Sequence, residues 1–231
     1  MLNIAIDGPA GSGKSTVAKI VANKLNILHL DTGAMYRSVA LKVLSLGIDP
    51  SDEDAVSKII GDIDLKIEYD SGVQKNILDG KDVSSLIRTK EISMASSTVS
   101  AHKCVRLKMV EMQREVAKTL DCILDGRDIG SYVLPDAKYK FFLTADVKVR
   151  ALRRYNEHMS KGEKVDYDVI EKEVIARDYQ DSHREFAPLK QADDAIVVDT
   201  SDMTIDEVSS YILSKIEKQE EMPCFFTTSQ K

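Results

Sequence analysis

Apolar positions along the chain fall into five short runs set among longer amphipathic stretches. The runs are residues 2–6, 27–30, 122–124, 139–143 and 195–198. Predominantly apolar runs of this length read as strands covered on both faces, as in a parallel sheet. Helical spacing of apolar residues predicts helices at about 14–25, 34–46, 52–60, 90–118, 146–161, 167–185 and 204–218. Strands alternating with helices predict an α/β fold, a sheet with helices on both faces. Residues 62–88 follow another rule. Leu65-Lys66-Ile67-Glu68-Tyr69 alternates with period two, Asp70-Ser71-Gly72 turns, 73–78 returns, and Asp79-Gly80 turns again. That pattern predicts a small antiparallel unit inserted into the α/β frame. After Lys218 the chain is charged, then carries Phe225 and Phe226 among polar residues, and is expected to be poorly ordered.

Composition narrows the class. A chain of 231 residues is long enough to bury a full core. Its net charge of −6 supplies no overall basic field, which argues against a polynucleotide partner. Cys104, Cys122 and Cys224 are odd in number and far apart. No disulfide framework or zinc site is expected of them, and a reducing cytoplasm fits best. No basic leader or cleavage signal precedes Asp7, and no apolar run approaches the length of a membrane span. The expectation is a cytoplasmic monomer without a membrane partner.

The chemistry begins directly after the first apolar run. Gly8-Pro9-Ala10-Gly11-Ser12-Gly13-Lys14-Ser15 matches G-x-x-x-x-G-K-[ST], followed by Thr16. Glycines let successive backbone N–H groups turn inward around a polyphosphate. Lys14 then reaches the β- and γ-phosphates, and the Ser15 hydroxyl can ligate Mg²⁺. A helix starting here points its N-terminus at the anion. At ordinary residue usage the pattern occurs in roughly 1% of chains this long, so the strand–loop–helix context makes a plain glycine turn the poorer reading. Neither D-x-x-G nor N-K-x-D occurs, which disfavours a GTPase switch.

Four further clusters carry phosphate-seeking or base-reading groups. The first is Asp31-Thr32-Gly33-Ala34-Met35-Tyr36-Arg37, after the second run. The second is Asp125-Gly126-Arg127-Asp128, whose strand-end carboxylate can hold the waters of Mg²⁺. The third is the basic helix with Lys148, Arg150, Arg153 and Arg154, next to Lys161-Gly162-Glu163-Lys164, a candidate lid at about 146–166. In the fourth, Arg177, Asp181 and Arg184 stand at i, i+4 and i+7 and are expected to project from one helix face. His183 lies off that face and reads as a surface residue. Each cluster alone also reads as a helix cap, a charged turn, a solvated helix face or a surface ion pair. Their common place at strand ends and mobile connections around one phosphate loop favours phosphoryl transfer, in which positioning and charge stabilisation dominate.

In this order the motifs resemble the bacterial cytidylate (CMP) kinase family, over about residues 2–216. The resemblance rests on I-D-G-P-A-G-S-G-K-S-T (6–16), D-T-G-A-M-Y-R (31–37), D-G-R-D-I-G (125–130) and R-D-x-x-D-x-x-R-x-x-A-P-L (177–189). It implies a P-loop kinase fold with a five-stranded parallel sheet, and transfer of the ATP γ-phosphate to CMP or dCMP with Mg²⁺. The implied organisation is a kinase core at 1–61 and 89–217, a nucleoside-monophosphate-binding insert at 62–88 and a tail at 218–231. By position, Gly8, Pro9, Ala10, Gly11, Ser12, Gly13, Lys14, Ser15 and Thr16 would hold ATP, with Ser15 on the metal. Thr32, Arg106, Asp128 and Arg184 would surround cytosine beside Tyr36. Ser97, Arg177 and Asp181 would meet the ribose. Arg37 and Arg127 would clamp the acceptor phosphate, and Arg150 and Arg154 would belong to the lid. Lys14, Arg127, Arg150, Arg154 and Arg177 are the implied catalytic set. Thr32 stands where some members carry Ser, and Gln180 and Ser182 where some carry arginine. The alternatives left open are another small P-loop kinase acting on UMP, dTMP or a non-nucleotide, and a nucleotide-dependent switch.

Overall fold

A computed structural model describes residues 1–220, with side chains described to Glu217. Five strands form one parallel sheet: β1 (Asn3–Asp7), β2 (Leu28–Asp31), β6 (Cys122–Gly126), β7 (Tyr139–Thr144) and β8 (Ile196–Asp199). Their order is β2-β6-β1-β7-β8. The register places Ile6 and Asp31 beside Asp125, and Asp7 beside Gly126 and Phe142. Asp7, Asp31 and Asp125 therefore gather at the carboxyl ends of neighbouring strands, where ligands bind in open α/β sheets.

Helices cover both faces. On one, α1 (Lys14–Leu25) and α8 (Ile205–Glu220) pack against the sheet through Val17, Val21, Val208 and Ile212. On the other, α2 (Thr32–Ser45), α3 (Glu53–Ile60), α4 (Lys90–Val99) and α5 (Lys103–Thr119) bury Met35, Val39, Val56, Val99 and Met109. Each such side chain contributes about 1.5–3 kcal/mol by leaving water. A third small cluster, Ala151, Ile170 and Val174, joins α6 (Val147–Ser160) to α7 (Tyr167–His183).

The alternating segment forms its own antiparallel sheet from β3 (Leu65–Asp70), β4 (Val73–Leu78) and β5 (Lys81–Asp82). Leu65 pairs with Leu78, both buried, as period two requires. Ser71 and Gly72 both have positive φ, the geometry of a tight hairpin turn. The Gln74 amide ties this sheet to the core: its Oε1 accepts the Asp31 N–H at 2.7 Å.

Several elements depart from the sequence pattern. The helix expected at 90–118 is two helices. The run Ser96-Ser97-Thr98 is poor in helix formers, and His102 is extended at ψ 128 while its ring contacts the Pro50 carbonyl at 2.7 Å. The strand at 122–124 continues through Asp125 and Gly126, which were expected beyond its end. A π-helical turn at Ile129–Val133 and the short β5 carry no periodic signal in the sequence. The helix expected at 167–185 stops at His183, so Arg184 is off the helix, with ψ at 143. At the other end α8 continues to Glu220, into the segment expected to be a disordered tail. The rest of that segment, with Cys224, Phe225 and Phe226, lies outside the described residues. Among the described residues no helix is long and apolar enough to cross a membrane.

Candidate active site

The loop between β1 and α1 has to bend its backbone around a small volume. Gly8 sits at φ 142, and a Cβ there would lie 1.9 Å from the Leu143 carbonyl oxygen. Gly13 sits at φ 88 as the N-cap of α1. Only glycine meets both demands. Lys14 begins the helix and is buried. Its ammonium donates to the Pro9 carbonyl at 2.6 Å and to Ser12 Oγ at 3.4 Å. Burial, with the Arg127 guanidinium nearby, holds the Lys14 pKa well below the usual lysine range. An arriving polyphosphate would pull it back up, because a neighbouring anion favours the charged form.

A cleft of about 1430 Å³ opens from this loop across the strand ends to α5. It is lined by ten lysines and arginines against six aspartates and glutamates, a local excess opposite in sign to the chain's net charge. Such a cleft concentrates anions. At the loop end stand Ala10, Gly11, Gly13, Lys14, Ser15 and Thr16. Ser15 donates to Asp125 Oδ2 at 2.6 Å, and His29 Nε2 lies 2.7 Å from Asp125 Oδ1. Among the described residues no cluster of three or more His, Cys, Asp or Glu forms a metal cage. Mg²⁺ needs none, because it keeps its waters and takes one or two oxygen ligands plus phosphates. The Ser15–Asp125 oxygen pair fits that requirement.

In the middle of the cleft lie arginines from three helices and the loop after β6. Asp31 caps α2 by accepting the Ala34 N–H at 2.9 Å, and its other oxygen holds Arg37 at 2.9 Å. Arg127 Nε donates to Asp181 Oδ2 at 2.7 Å. Burial works against both charges in that pair, yet Arg127 and Arg177 together hold the Asp181 carboxyl below its usual range. Burial and the Arg127 charge push Arg177 down to about 10, so it remains cationic at neutral pH. Nε of Arg37, Arg154 and Arg177 is buried without a hydrogen-bond partner in each case. Unpaired buried donors are costly and call for a ligand.

At the inner end Asp128 is fixed on both oxygens. Arg106 Nη2 donates at 2.5 Å and Arg184 Nη2 at 3.3 Å. Arg106 also lies over the Tyr36 ring, 5.4 Å from its centroid. Burial pushes the Tyr36 hydroxyl up to about 12, so it is neutral. The Thr32 hydroxyl donates to the Asp125 carbonyl at 2.7 Å. Asp128 precedes the π-helical turn, whose first N–H groups, those of Ile129 and Gly130, bond to the buried Asp7 carboxyl at 2.8 and 2.7 Å. Arg114 holds the other end of the turn through the Val133 and Tyr132 carbonyls.

The cleft thus brings together most of the residues marked in the sequence, Arg184 among them although it does not share the helix face of Arg177 and Asp181. Ser97, Arg150, Gly8, Pro9 and Ser12 do not line it. The Ser97 hydroxyl donates to Gln180 Oε1 at 2.8 Å, across from α4 to α7. Arg150 is buried, donates to the Ala145 and Ala10 carbonyls, and pairs with Asp178 at 2.7 Å. It braces the phosphate loop from behind, while Arg154 faces the cleft. His183 is exposed and stacks on Tyr179, outside the cleft. Arg153, marked in the sequence as part of the basic helix, lines the cleft as well, while sequence reasoning missed Arg88, Gln113, His29 and Asp7. Only Asp7 had a signal, as a charge closing an apolar strand.

The family model described as cytidylate kinase matches residues 4–218. A cytidylate kinase from Caldicellulosiruptor saccharolyticus is 48% identical over 212 residues, 92% of this chain and 94% of that protein. One from Lactobacillus johnsonii is 49% identical over 220 residues, 95% of this chain and 96% of that protein. Among solved structures, an uncharacterized protein from Eubacterium ventriosum superposes with a TM-score of 0.50 at 14% identity, covering 94% of this chain and 99% of that one, a likeness of fold alone.

Proposed function

The chain belongs to the cytidylate kinase family and is a nucleoside monophosphate kinase with a P-loop fold, and on that premise we propose how its own residues perform the reaction. It phosphorylates CMP and dCMP, taking the γ-phosphate from ATP. The loop from Gly8 to Thr16 holds the donor, and the inner end around Asp128 holds cytosine. Arg37 and Arg127 clamp the acceptor phosphate between them. Arg177 and Asp181 meet the ribose, while Ser97 stays outside the cleft, its hydroxyl bonded to Gln180. Arg154 reaches over the phosphates from α6, and Arg150 acts through the loop it braces. The β3–β5 sheet serves as the monophosphate-binding insert, and the segment at about 146–166 as the lid. The enzyme works as a cytoplasmic monomer.

Transfer is in line and direct. The acceptor phosphate is already an anion, so no general base and no covalent enzyme intermediate is needed. Lys14 and the arginines offset the charge that develops on the moving group. Ser15 and Asp125 would hold Mg²⁺, which would supply charge neutralisation at the phosphates. Cytosine offers an amino donor and two acceptors, which suits a carboxylate flanked by two arginines. Uracil would turn an acceptor toward Asp128, an unpaired contact costing about 1–3 kcal/mol.

The observation that carries this reading is Asp128 held by Arg106 and Arg184 in the same cleft as Lys14. A coupled ADP-release assay across CMP, dCMP, UMP, AMP, dTMP and shikimate tests it. Strong stimulation by CMP and dCMP is expected. A preference for UMP, or turnover indifferent to every acceptor, would refute it.

A further inference from the structure

Gln113 lies on α5 seven residues after Arg106, two turns along the same helix face. It is 1% exposed, as enclosed as Arg106, and it lines the inner end of the cleft. Both of its amide atoms, Nε2 and Oε1, are buried with no hydrogen-bond partner, and Arg106 Nε is unpaired as well. Its amide also interacts with the Tyr36 hydroxyl, although neither amide atom reaches hydrogen-bond geometry with it. A buried amide left without partners costs about 1–3 kcal/mol for each lost group, so a native fold keeps one where something else satisfies it.

An exocyclic amine carries two hydrogens. Asp128 already receives Arg106 and Arg184 on its two oxygens and is placed to take one hydrogen of a 4-amino group. The second needs another acceptor at the same end of the cleft. We infer that Gln113 is a further base-binding residue, its amide taking the second hydrogen of the cytosine 4-amino group alongside Asp128. The inference rests on the assignment of this end of the cleft to the base. An amide can also turn over and offer its NH₂ to a 4-keto group, so Gln113 adds binding for both pyrimidines, whereas a carboxylate in its place can only accept.

Three variants test this: Gln113→Met, close in length but without hydrogen bonds, Gln113→Glu, an acceptor only, and Gln113→Ala, which reads the same contact through a smaller side chain. Equilibrium dissociation constants for CMP and UMP, and KM for ATP, are measured on each. Gln113→Met and Gln113→Ala are expected to weaken CMP by about 3–10-fold, the size of one neutral hydrogen bond, with KM for ATP unchanged. Gln113→Glu is expected to recover CMP binding while UMP binding weakens further, which a purely structural role would not produce. CMP binding at wild-type strength in Gln113→Met or Gln113→Ala, or equal loss of CMP and ATP, overturns the inference. If the wild-type protein itself fails to prefer CMP over UMP, the assignment of the base end fails instead, and the two failures are distinguishable.

Discussion

Asp7 is the carboxylate whose charge the fold opposes most. Burial raises its pKa from the usual value near 4 to about 7, although the Ile129 and Gly130 N–H groups pull the other way. The protonated form is therefore favoured in the native state. The stability it contributes is complete below about pH 4 and is lost as pH rises to about 7. Replacing it by Asn removes that dependence. Thermal unfolding at pH 5 and pH 8 should show Asp7→Asn gaining on the wild type as pH rises, and a constant gap between the two would contradict the raised pKa. At Lys14 the effect is catalytic. Lys14→Ala should lower kcat by about 10²–10³ or more, as expected on removing a cation from the transferring group. Asp128→Ala should instead raise KM for CMP far more than KM for ATP. The opposite pattern would mean that donor and acceptor have been placed at the wrong ends. Lys14, Arg37, Arg127 and Asp128 were legible in the sequence because the motifs that carry them have fixed spacing. Gln113 was not, since a glutamine in a helix carries no signal until its burial is known.

At the scale of elements, the phosphate loop tolerates little change. At Gly8 a methyl group meets a backbone carbonyl that belongs to β7, so it cannot move aside cheaply. Gly8→Ala should cost at least ~3 kcal/mol in urea unfolding, combining φ strain with overpacking. A loss below 1 kcal/mol would contradict the close approach. The break between α4 and α5 shows where periodicity misleads. The apolar spacing continues through 90–118, but the serine-rich stretch and the His102 contact with Pro50 turn the chain, and that contact is 52 residues away in sequence. The same turn places Ser97 against Gln180 rather than in the cleft. Ser97→Ala should therefore change KM for CMP by no more than ~3-fold, the lower end of a neutral hydrogen bond. Asp181→Ala, which breaks a charged bond to Arg127, should raise it at least ~10-fold. Equal effects would place Ser97 on the substrate.

For the whole molecule, the parallel sheet and the inserted antiparallel unit followed from apolar runs and period-two alternation, because burial on one or two faces imposes those patterns. The order β2-β6-β1-β7-β8 did not follow, since strand neighbours are chosen by long-range packing. That order is what brings Asp7, Asp31 and Asp125 side by side and puts the phosphate loop and Asp128 in one cleft. The central claim is that one cleft holds two anionic nucleotides end to end. Adenosine and cytidine joined through five phosphates would fill both halves at once. In inhibition kinetics this molecule should compete with ATP and with CMP alike and bind far more tightly than either. Competition with only one of the two substrates would contradict a shared cleft.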